Sequence, residues 1–499
     1  MNKTAFIKNV VFGFAGQMIV IILGIVIPRV LITSYGSDVN GLISTVSQVF
    51  TYMALLEAGV GQAARNALYG PLARDDKEGV SRVASTARRY YRHLTLYYAV
   101  GVLILTICLS FVLKSNVDKT TIALVVLFEG MAGVVSFYFI ETQTMILAAD
   151  GRGYINNAVT VIDKTLGYAA KIVLAFLGVN IAIFQFVYFL ITVAKVFFYN
   201  LYFRRAYPWL DYSKYKQGDK LKDRNSYIVT EVAWTVFSST DSIVLSTLLS
   251  TQLASVYMVY NMVFSNLSVL LNAVYISISY VLGQTYNSDK DRYKTIHDVY
   301  NSIFFGGMTI LMSISYILIL PFVGLYTSGV SDVNYLYPSL PLLFCLVQLL
   351  SWGRYVSGNL VGIAGYIRDS LVVNVAEALI NIVLTVLLSL RFGIVGVLAG
   401  TVCALPIKLI YCNYMADQVI LKRSMLQTIK ILGGNLVFFL GVVLINSVCR
   451  PVINSFLDFL LWGLILCIII GFTGVIFNIA LNPGCGIYVK KMLKIGNMK

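Results

Sequence analysis

The stretch AADGRGYINNAVTVIDKTLGYAAKIVL, residues 148–174, places charged side chains inside a helix-length apolar segment. It opens with the turn Asp150-Gly151-Arg152-Gly153 and then carries Asp163, Lys164 and Lys171. A charge at the centre of a bilayer costs roughly 2.5 to 3.5 kcal/mol, so such residues face a protein interior or a wet cavity and mark a transport pathway. The segment therefore predicts a membrane helix that borders a polar interior.

The composition places the chain among polytopic membrane proteins. Hydrophobic residues make up 58% of the 499 residues, charged residues make up 12%, and the mean hydropathy is +0.79. These values exclude a soluble globular protein of this length. The first apolar segment, residues 10–32, is longer than the apolar core of a signal peptide and has no small-residue cleavage site after it, so we expect it to be retained as a span.

Apolar windows of about 20 residues, the length that crosses a bilayer, predict an all-α protein with about 14 transmembrane helices. The predicted spans are 10–32, 41–64, 94–113, 120–147, 157–178, 181–203, 229–250, 255–282, 300–326, 337–362, 371–390, 394–416, 428–448 and 456–481.

The net charge of +15 follows the predicted topology. One side of the membrane would hold Lys3, Lys8, the bases of residues 65–92, Arg152, the bases of residues 204–224, Lys290, Arg292, Lys294, Arg368, Lys422, Arg423, Lys430 and the bases of residues 490–499, and the other side Lys114, Lys119, Arg391 and Arg450. By the positive-inside rule the first side is cytoplasmic, so we expect a multi-pass membrane protein with both termini in the cytoplasm and an even number of helices. The predicted topology explains the excess of basic residues better than nucleic-acid binding does.

Two weak internal matches predict a duplication. Val263-Phe264-Ser265 falls on Val49-Phe50-Thr51 at an offset of 214, and Gly365-Tyr366-Ile367 echoes Gly153-Tyr154-Ile155 at 212. Six helices per half give a parallel repeat with a binding site near mid-membrane. The predicted parts are a six-helix bundle (1–205), a cytoplasmic linker (206–227), a second six-helix bundle (228–417), and helices 13 and 14 with a cytoplasmic tail (418–499). Chance similarity between apolar helices is the alternative.

The predicted spans contain six bases and seven acids, too many to face lipid. The acids are Glu57, Glu129, Glu141, Asp163, Glu231, Asp241 and Glu377. Five bases are the predicted lining of a cationic cavity, namely Lys164, Lys171, Lys195, Arg354 and Lys408. Lys and Arg bind phosphate oxygens, so this patch would fit an anionic cargo. Alternatively a nearby acid neutralises each base, for example Glu141 for Lys164.

Other ionisable groups suggest a gate and a coupling site. Arg29, preceded by Pro28, is a candidate gate residue, and its alternative is snorkelling to the interface. Asp241 is the first candidate for an H⁺ or Na⁺ coupling site, because a lone carboxylate in a span binds a proton readily, and pairing with a base is equally compatible. Asp163 and Glu57 are further candidates for ion coupling. His297 looks like an ordinary helix-boundary residue.

The sequence lacks the common catalytic and metal-binding signatures. It contains no Walker A loop, no HExxH and no GxSxG, and its seven cysteines show no metal-ligand spacing. We therefore predict neither an enzyme nor a bound metal or cofactor, and expect an ion gradient or the cargo's own gradient to drive transport. The basic stretches 65–92 and 214–224 are suited to anionic membrane lipids, with simple solvation as the alternative.

The run GLISTVSQVFTYMALLEAGVG, residues 41–61, followed by LYGPLA at 68–73, resembles bacterial polysaccharide flippases of the MATE-like multidrug, oligosaccharidyl-lipid and polysaccharide exporter superfamily. The turn ADGRGY, residues 149–154, is similar to the turn that this family places between helices four and five. The resemblance covers the whole chain in helix count and layout.

The resemblance implies a V-shaped pair of six-helix bundles that moves an undecaprenyl-diphosphate-linked oligosaccharide from the cytoplasmic to the outer leaflet by alternating access. The cargo would serve O-antigen or capsule synthesis, with a polysaccharide polymerase as a functional partner, and the five bases would hold the diphosphate and acidic sugars. An ion-coupled multidrug antiporter of the same fold is the alternative, and it would prefer an acidic lumen. A membrane glycosyltransferase or ligase would need a long outer loop, and no predicted outer loop exceeds about a dozen residues.

Overall fold

The computed structural model describes residues 22–54, 57, 60–212, 240–366 and 369–486, and within these ranges the chain is helical with no strand. The helices are α1 (Ile22–Tyr35), α2 (Ser37–Ala54), α3 (Val60–Ala73), α4 (Lys77–Val112), α5 (Lys119–Val135), α6 (Glu141–Ala149), α7 (Gly153–Phe176), α8 (Ile181–Ala206), α9 (Thr240–Leu249), α10 (Thr251–Ser288), α11 (Lys290–Tyr326), α12 (Leu340–Trp352), α13 (Tyr355–Ile363), α14 (Ser370–Tyr414), α15 (Leu426–Val448) and α16 (Phe456–Leu481).

The prediction of an all-α polytopic membrane protein is confirmed. Within the described ranges, nine helical stretches are long and apolar enough to cross a bilayer, and α1 and α9 are shorter apolar helices. The stretch 370–420 covers two predicted spans, because α14 contains both and changes direction at Gly393, whose φ is +61°. Nothing is described for residues 1–21 or 213–239, so the start of the first predicted span and the first half of the seventh lie outside the described residues.

Side-chain caps fix several helix ends where the sequence changes from polar to apolar. The Asp118 carboxylate accepts hydrogen bonds from the backbone N–H groups of Thr120 and Thr121 at the start of α5. Ser455 and Asp458 form a reciprocal capping box at the start of α16. Each cap satisfies N–H groups that the helix itself leaves without partners, which stabilises a helix start by about 1 kcal/mol.

The chain divides into two compact units, Met1–Met258 and Val259–Lys499. In the first unit α4 and α5 pack together, α5 also packs against α2 and α8, and α7 packs against α8. Polar contacts add α9 and the start of α10 to this unit. Asn40 donates a 2.7 Å hydrogen bond to the Ser255 hydroxyl, and the Thr45 hydroxyl bonds that of Ser246. The predicted linker at 206–227 stays a prediction, because residues 213–239 are not described.

The second unit is organised around α11, which packs against α12, α15 and α16. The amide side chains of Asn435 and Asn478 exchange hydrogen bonds of 2.9 and 3.0 Å between α15 and α16. In an apolar setting a reciprocal amide pair satisfies groups that lipid leaves without partners, so it fixes the register of two otherwise featureless helices. The last two helices therefore belong to the second unit.

The backbone conformation supports the predicted repeat. Gly151 and Gly365, 214 positions apart, both have a left-handed φ, of +73° and +88°. Gly178 and Gly393, 215 positions apart, do so as well, at +64° and +61°. The backbone pairs Gly365 with Gly151, which lies two residues before Gly153, the turn partner suggested by sequence, since Gly153 already begins α7. The two structural offsets, 214 and 215, then lie within one position of the offset of 214 from the Val-Phe-Ser match.

The repeat extends to an interruption in the helix before each turn. In the first unit a π-helical segment, Ser136–Ile140, separates α5 from α6. In the second unit, α12 ends at Trp352 and α13 begins at Tyr355, again about 214 positions later. The two interruptions therefore lie at corresponding positions of the two halves, where the regular α-helical hydrogen-bond pattern breaks.

We expect Gly393→Ala to lower thermal stability, because an alanine in the left-handed region costs roughly 1 to 2 kcal/mol. No atom lies within 4 Å of the position of an added Cβ at Gly393, so the cost is conformational. The matched control is Gly307→Ala inside α11, where the added Cβ also meets nothing and alanine favours the helix by up to about 1 kcal/mol. Melting curves of the detergent-solubilised protein measure both, and equal melting temperatures would contradict the left-handed turn.

Candidate functional site

Lys195 and Asp163, two of the predicted site residues, form an ion pair. α7 carries Asp163 and α8 carries Lys195, and the Lys195 Nζ lies 3.3 Å from the Asp163 Oδ2. The carboxylate is buried and the ammonium is mostly buried. Of the predicted cationic set, Lys195 is therefore neutralised within its own unit, and Asp163 is occupied as well.

Lys164 and Lys171 remain as cations on α7. Within the described ranges no carboxylate oxygen lies within 4 Å of either ammonium group, so Glu141 does not neutralise Lys164 there. The Lys171 Nζ lies 5.0 Å from the centre of the Phe184 ring and 4.5 Å from that of Tyr188. Aromatic faces hold a cation in place by attraction to the ring quadrupole and do not cancel its charge. The two rings therefore hold the Lys171 ammonium group in place.

Glu129 is the nearest acid to interact with Lys171, and two hydrogen-bond donors hold it. Ser47 on α2 donates to one carboxylate oxygen at 3.2 Å, and Gln185 on α8 donates to the other. The charges of Glu129 and Lys171 interact without an ion pair in direct contact. Sequence reasoning missed Gln185 and Tyr188, although a glutamine in the otherwise apolar span 181–203 is a visible signal of a polar interior.

In the second unit, Arg354 and Lys408 share one carboxylate. Arg354 lies at the break before α13 and donates to Glu377 on α14, and both side chains are 4% exposed. The Lys408 Nζ, further along α14, lies 3.9 Å from the second oxygen of Glu377. Neutralisation by a nearby acid, the alternative to a cationic lining, therefore applies to Arg354 and, at a longer distance, to Lys408.

The three candidate coupling carboxylates have different surroundings. Asp241 is buried and accepts a 3.0 Å hydrogen bond from the Tyr257 hydroxyl, so it is not the isolated carboxylate that the sequence suggested. Asp163 is paired with a lysine, as described above. Glu57 accepts a 2.8 Å hydrogen bond from the Tyr91 hydroxyl, and its charge interacts with that of Glu141. The coupling role of all three stays a prediction.

Arg29, the candidate gate, lies on α1 and is half-buried. Its backbone carbonyl accepts a 2.9 Å hydrogen bond from Thr33 one turn later. A partly buried arginine near a helix end is compatible with either a gate or a snorkelling side chain, so its role stays a prediction.

His297 is more than the boundary residue that sequence indicated. It is fully buried on α11, its Nε2 lies 3.4 Å from the Ser357 hydroxyl, and its Nδ1 lies 3.2 Å from the Arg423 guanidinium. Arg423 also binds Asp298 at 2.6 Å and Asp417 at 2.8 Å. These contacts join α11, α13 and the segment between α14 and α15. Such polar networks hold helices in a fixed arrangement when every member has a partner.

Solved structures similar to this chain are transporters. A lipid II flippase, MurJ, in an inward closed conformation matches with a TM-score of 0.64 at 14% sequence identity, covering 97% of this chain and 100% of that chain. An inward-facing multidrug resistance MATE family transporter of the MOP superfamily matches with a TM-score of 0.63 at 14% identity, covering 83% of this chain and 98% of the other. No protein-family model and no curated protein sequence matches. The chain therefore has the fold of the MOP-superfamily transporters.

We expect Glu377→Leu to destabilise the second unit, because it leaves two bases without their shared carboxylate. Breaking a buried ion pair by removing one partner costs about 3 to 5 kcal/mol, whereas replacing both partners by apolar residues is often neutral. The double variant Arg354→Met/Glu377→Leu should therefore recover much of the loss. Thermal unfolding in detergent compares the three proteins, and a double variant no more stable than Glu377→Leu would show that the pair is not the source of the effect.

Proposed function

We propose that this chain moves an undecaprenyl-diphosphate-linked oligosaccharide from the cytoplasmic to the outer leaflet by alternating access, for the synthesis of a surface polysaccharide such as O-antigen or capsule. The chain would act in a bacterial inner membrane with both termini in the cytoplasm. A polysaccharide polymerase would use the cargo that it delivers.

The observation that carries the proposal is the pair of α7 lysines. Lys164 and Lys171 lie seven residues apart, two turns along one helical face, and no carboxylate within the described ranges contacts either. Unpaired ammonium groups inside a membrane unit are costly unless an anion or water stabilises them. A diphosphate supplies several oxygens for charge-assisted hydrogen bonds, so it fits this environment.

Two further features agree with a glycan-bearing cargo. The fold is shared with a lipid II flippase, whose name describes a lipid-linked substrate. Aromatic rings also lie beside Lys171, since its Nζ is 5.0 Å from the centre of the Phe184 ring and 4.5 Å from that of Tyr188. Aromatic side chains combine apolar area with a polar edge, which suits both sugar faces and prenyl carbons.

A multidrug antiporter remains the second candidate, because a MATE family transporter also shares the fold. Cationic drugs would need accessible carboxylates. In the first unit Glu129 is occupied by Ser47 and Gln185, and Asp163 by Lys195, so the accessible charge on α7 is positive. This sign favours an anionic cargo over a cationic one.

Replacing Lys171 by glutamine should lower the transport of lipid-linked oligosaccharide by about tenfold to a hundredfold, because a hydrogen bond to a charged group contributes about 1.5 to 3 kcal/mol. The assay uses purified protein in liposomes with a fluorescent undecaprenyl-diphosphate-linked glycan and a membrane-impermeant quencher. Lys171→Arg keeps the charge and should retain most of the transport.

A matched control replaces the neutralised pair, with Lys195→Gln and Asp163→Asn together, and should have a smaller effect than Lys171→Gln. The same proteins are assayed for efflux of a cationic dye. Unchanged glycan transport in a Lys164→Gln/Lys171→Gln protein would overturn the anionic-cargo proposal, and dye efflux by that protein would favour the antiporter.

We further propose that Glu57 takes up the proton that couples transport to a gradient. Glu57→Gln should keep the Tyr91 hydrogen bond and cargo binding but lose the response of transport to an imposed pH gradient. Asp291→Asn, an exposed carboxylate that starts α11, is the control and should respond like the unmodified protein. A Glu57→Gln protein that still responds to the gradient would assign coupling to another group.

A further inference from the structure

A cavity of about 460 Å³ lies in the first unit where α8 ends, and residues of α4, α6 and the chain after α8 also line it, whereas neither α7 lysine does. This volume is within the range of about 300 to 1,000 Å³ that is typical of small-molecule sites. The side chains that characterise it are Arg88, Tyr138, Thr142, Gln143, Arg204 and Tyr212. By the charge distribution of the loops, this end of the unit is the one predicted to face the cytoplasm.

The cavity is positively charged. Arg88 and Arg204 line it, no acidic residue is among its lining residues, and no carboxylate within the described ranges lies within 4 Å of either guanidinium. The Arg88 guanidinium lies 4.2 Å from the centre of the Tyr212 ring, which orients it without cancelling its charge. Burial raises the pKa of the Tyr212 phenol to about 12, so this group is neutral near pH 7.

Asp150, which is bonded by the lining residue Tyr207, is already neutralised. Asp150 forms a 2.9 Å ion pair with Arg152 and accepts a 2.6 Å hydrogen bond from the hydroxyl of Tyr207. Tyr207 presents the rest of its side chain to the cavity. Asp150 therefore does not compete for Arg88 or Arg204, and the two guanidinium groups are available to an anion.

Gln143 is a second feature of the cavity that indicates a bound ligand. It is 8% exposed, its Nε2 donates a 3.0 Å hydrogen bond to Asn200, and its Oε1 is buried with no hydrogen-bond partner. Leaving a buried carbonyl without a hydrogen-bond partner costs about 1 to 3 kcal/mol of stability. A ligand that donates a hydrogen bond to the Gln143 carbonyl would recover this cost. Together with the Thr142 hydroxyl at the cavity wall, this carbonyl would accept a hydrogen bond from a hydroxyl group.

An exposed apolar ring borders the cavity. Phe139 lines it and is 43% exposed, and it lies in the π-helical segment of a stretch that is long and apolar enough to cross a bilayer. An exposed phenylalanine on such a stretch suits contact with acyl chains. A ligand that reaches the arginines past this ring would carry an apolar tail as well as an anionic head.

We propose that this cavity binds the headgroup of an anionic phospholipid that carries free hydroxyl groups. The phosphodiester oxygens would lie between Arg88 and Arg204, which offer planar forks of N–H donors that match phosphate oxygens. A headgroup hydroxyl would donate to the Gln143 carbonyl. Neither α7 lysine lines this site, so its test is independent of the proposed transport function.

Native mass spectrometry of the full-length protein in detergent tests the proposal, with phosphatidylglycerol, phosphatidic acid and phosphatidylcholine as probes. We expect phosphatidylglycerol to bind at least about tenfold more tightly than phosphatidylcholine, and Arg204→Gln to remove most of that preference. Arg205→Gln is the matched control, since Arg205 is adjacent, exposed and not part of the lining, and it should bind as the unmodified protein does. Arg204 is also exposed, so its replacement leaves folding intact.

A second variant tests the hydroxyl contact. Gln143→Met should reduce binding of phosphatidylglycerol severalfold and leave that of phosphatidic acid, which lacks the glycerol hydroxyls, nearly unchanged. Soluble glycerol phosphate distinguishes the source of the ligand. If it displaces the lipid at comparable concentrations, the ligand is a soluble phosphate ester and the lipid assignment is overturned. If Arg204→Gln and Arg205→Gln lose lipid binding equally, general surface charge explains the binding, and the proposed site is overturned.

Discussion

The high cost of a charge in a medium of low dielectric constant determines how this protein is built. Each ionisable side chain inside a span must have a partner, a polar interior or a bound anion. Lys195 meets this condition through Asp163, and Arg354 and Lys408 meet it through Glu377. Lys164 and Lys171 do not contact a carboxylate in the described part of the chain. The contrast between neutralised and available bases, which lie only a few turns apart, gives the first unit its chemical character.

The helical framework could be predicted from sequence because it depends on local composition. The last span was predicted at 456–481 and α16 is Phe456–Leu481, since the apolar run and its capping residues lie next to one another in the chain. The third span, predicted at 94–113, was less accurate at its start, because α4 already begins at Lys77. A helix that continues beyond the bilayer has a polar composition there, so hydropathy alone ends it too early.

The pairing of charges could not be predicted, because it depends on contacts between residues that are distant in sequence. Glu377 lies 23 positions from Arg354 and bonds it across two helices. Sequence reasoning placed Arg354 among free cations and left open which of the bases would be neutralised. It also could not find the cavity at Arg88, since four helical segments and the chain after α8 must come together to form it. Inventories of charged residues therefore indicate a polar interior, but only the fold identifies which charges are available to a ligand.

The shared carboxylate of the second unit also constrains how the sequence can change over generations. A lineage that loses Glu377 first passes through a protein with two uncompensated buried bases, whereas one that loses Lys408 first keeps the tight Arg354 pair intact. The order of substitution is thus restricted, with the outlying lysine the most readily exchanged member. Among descendants of this chain, position 408 should be variable while positions 354 and 377 change together.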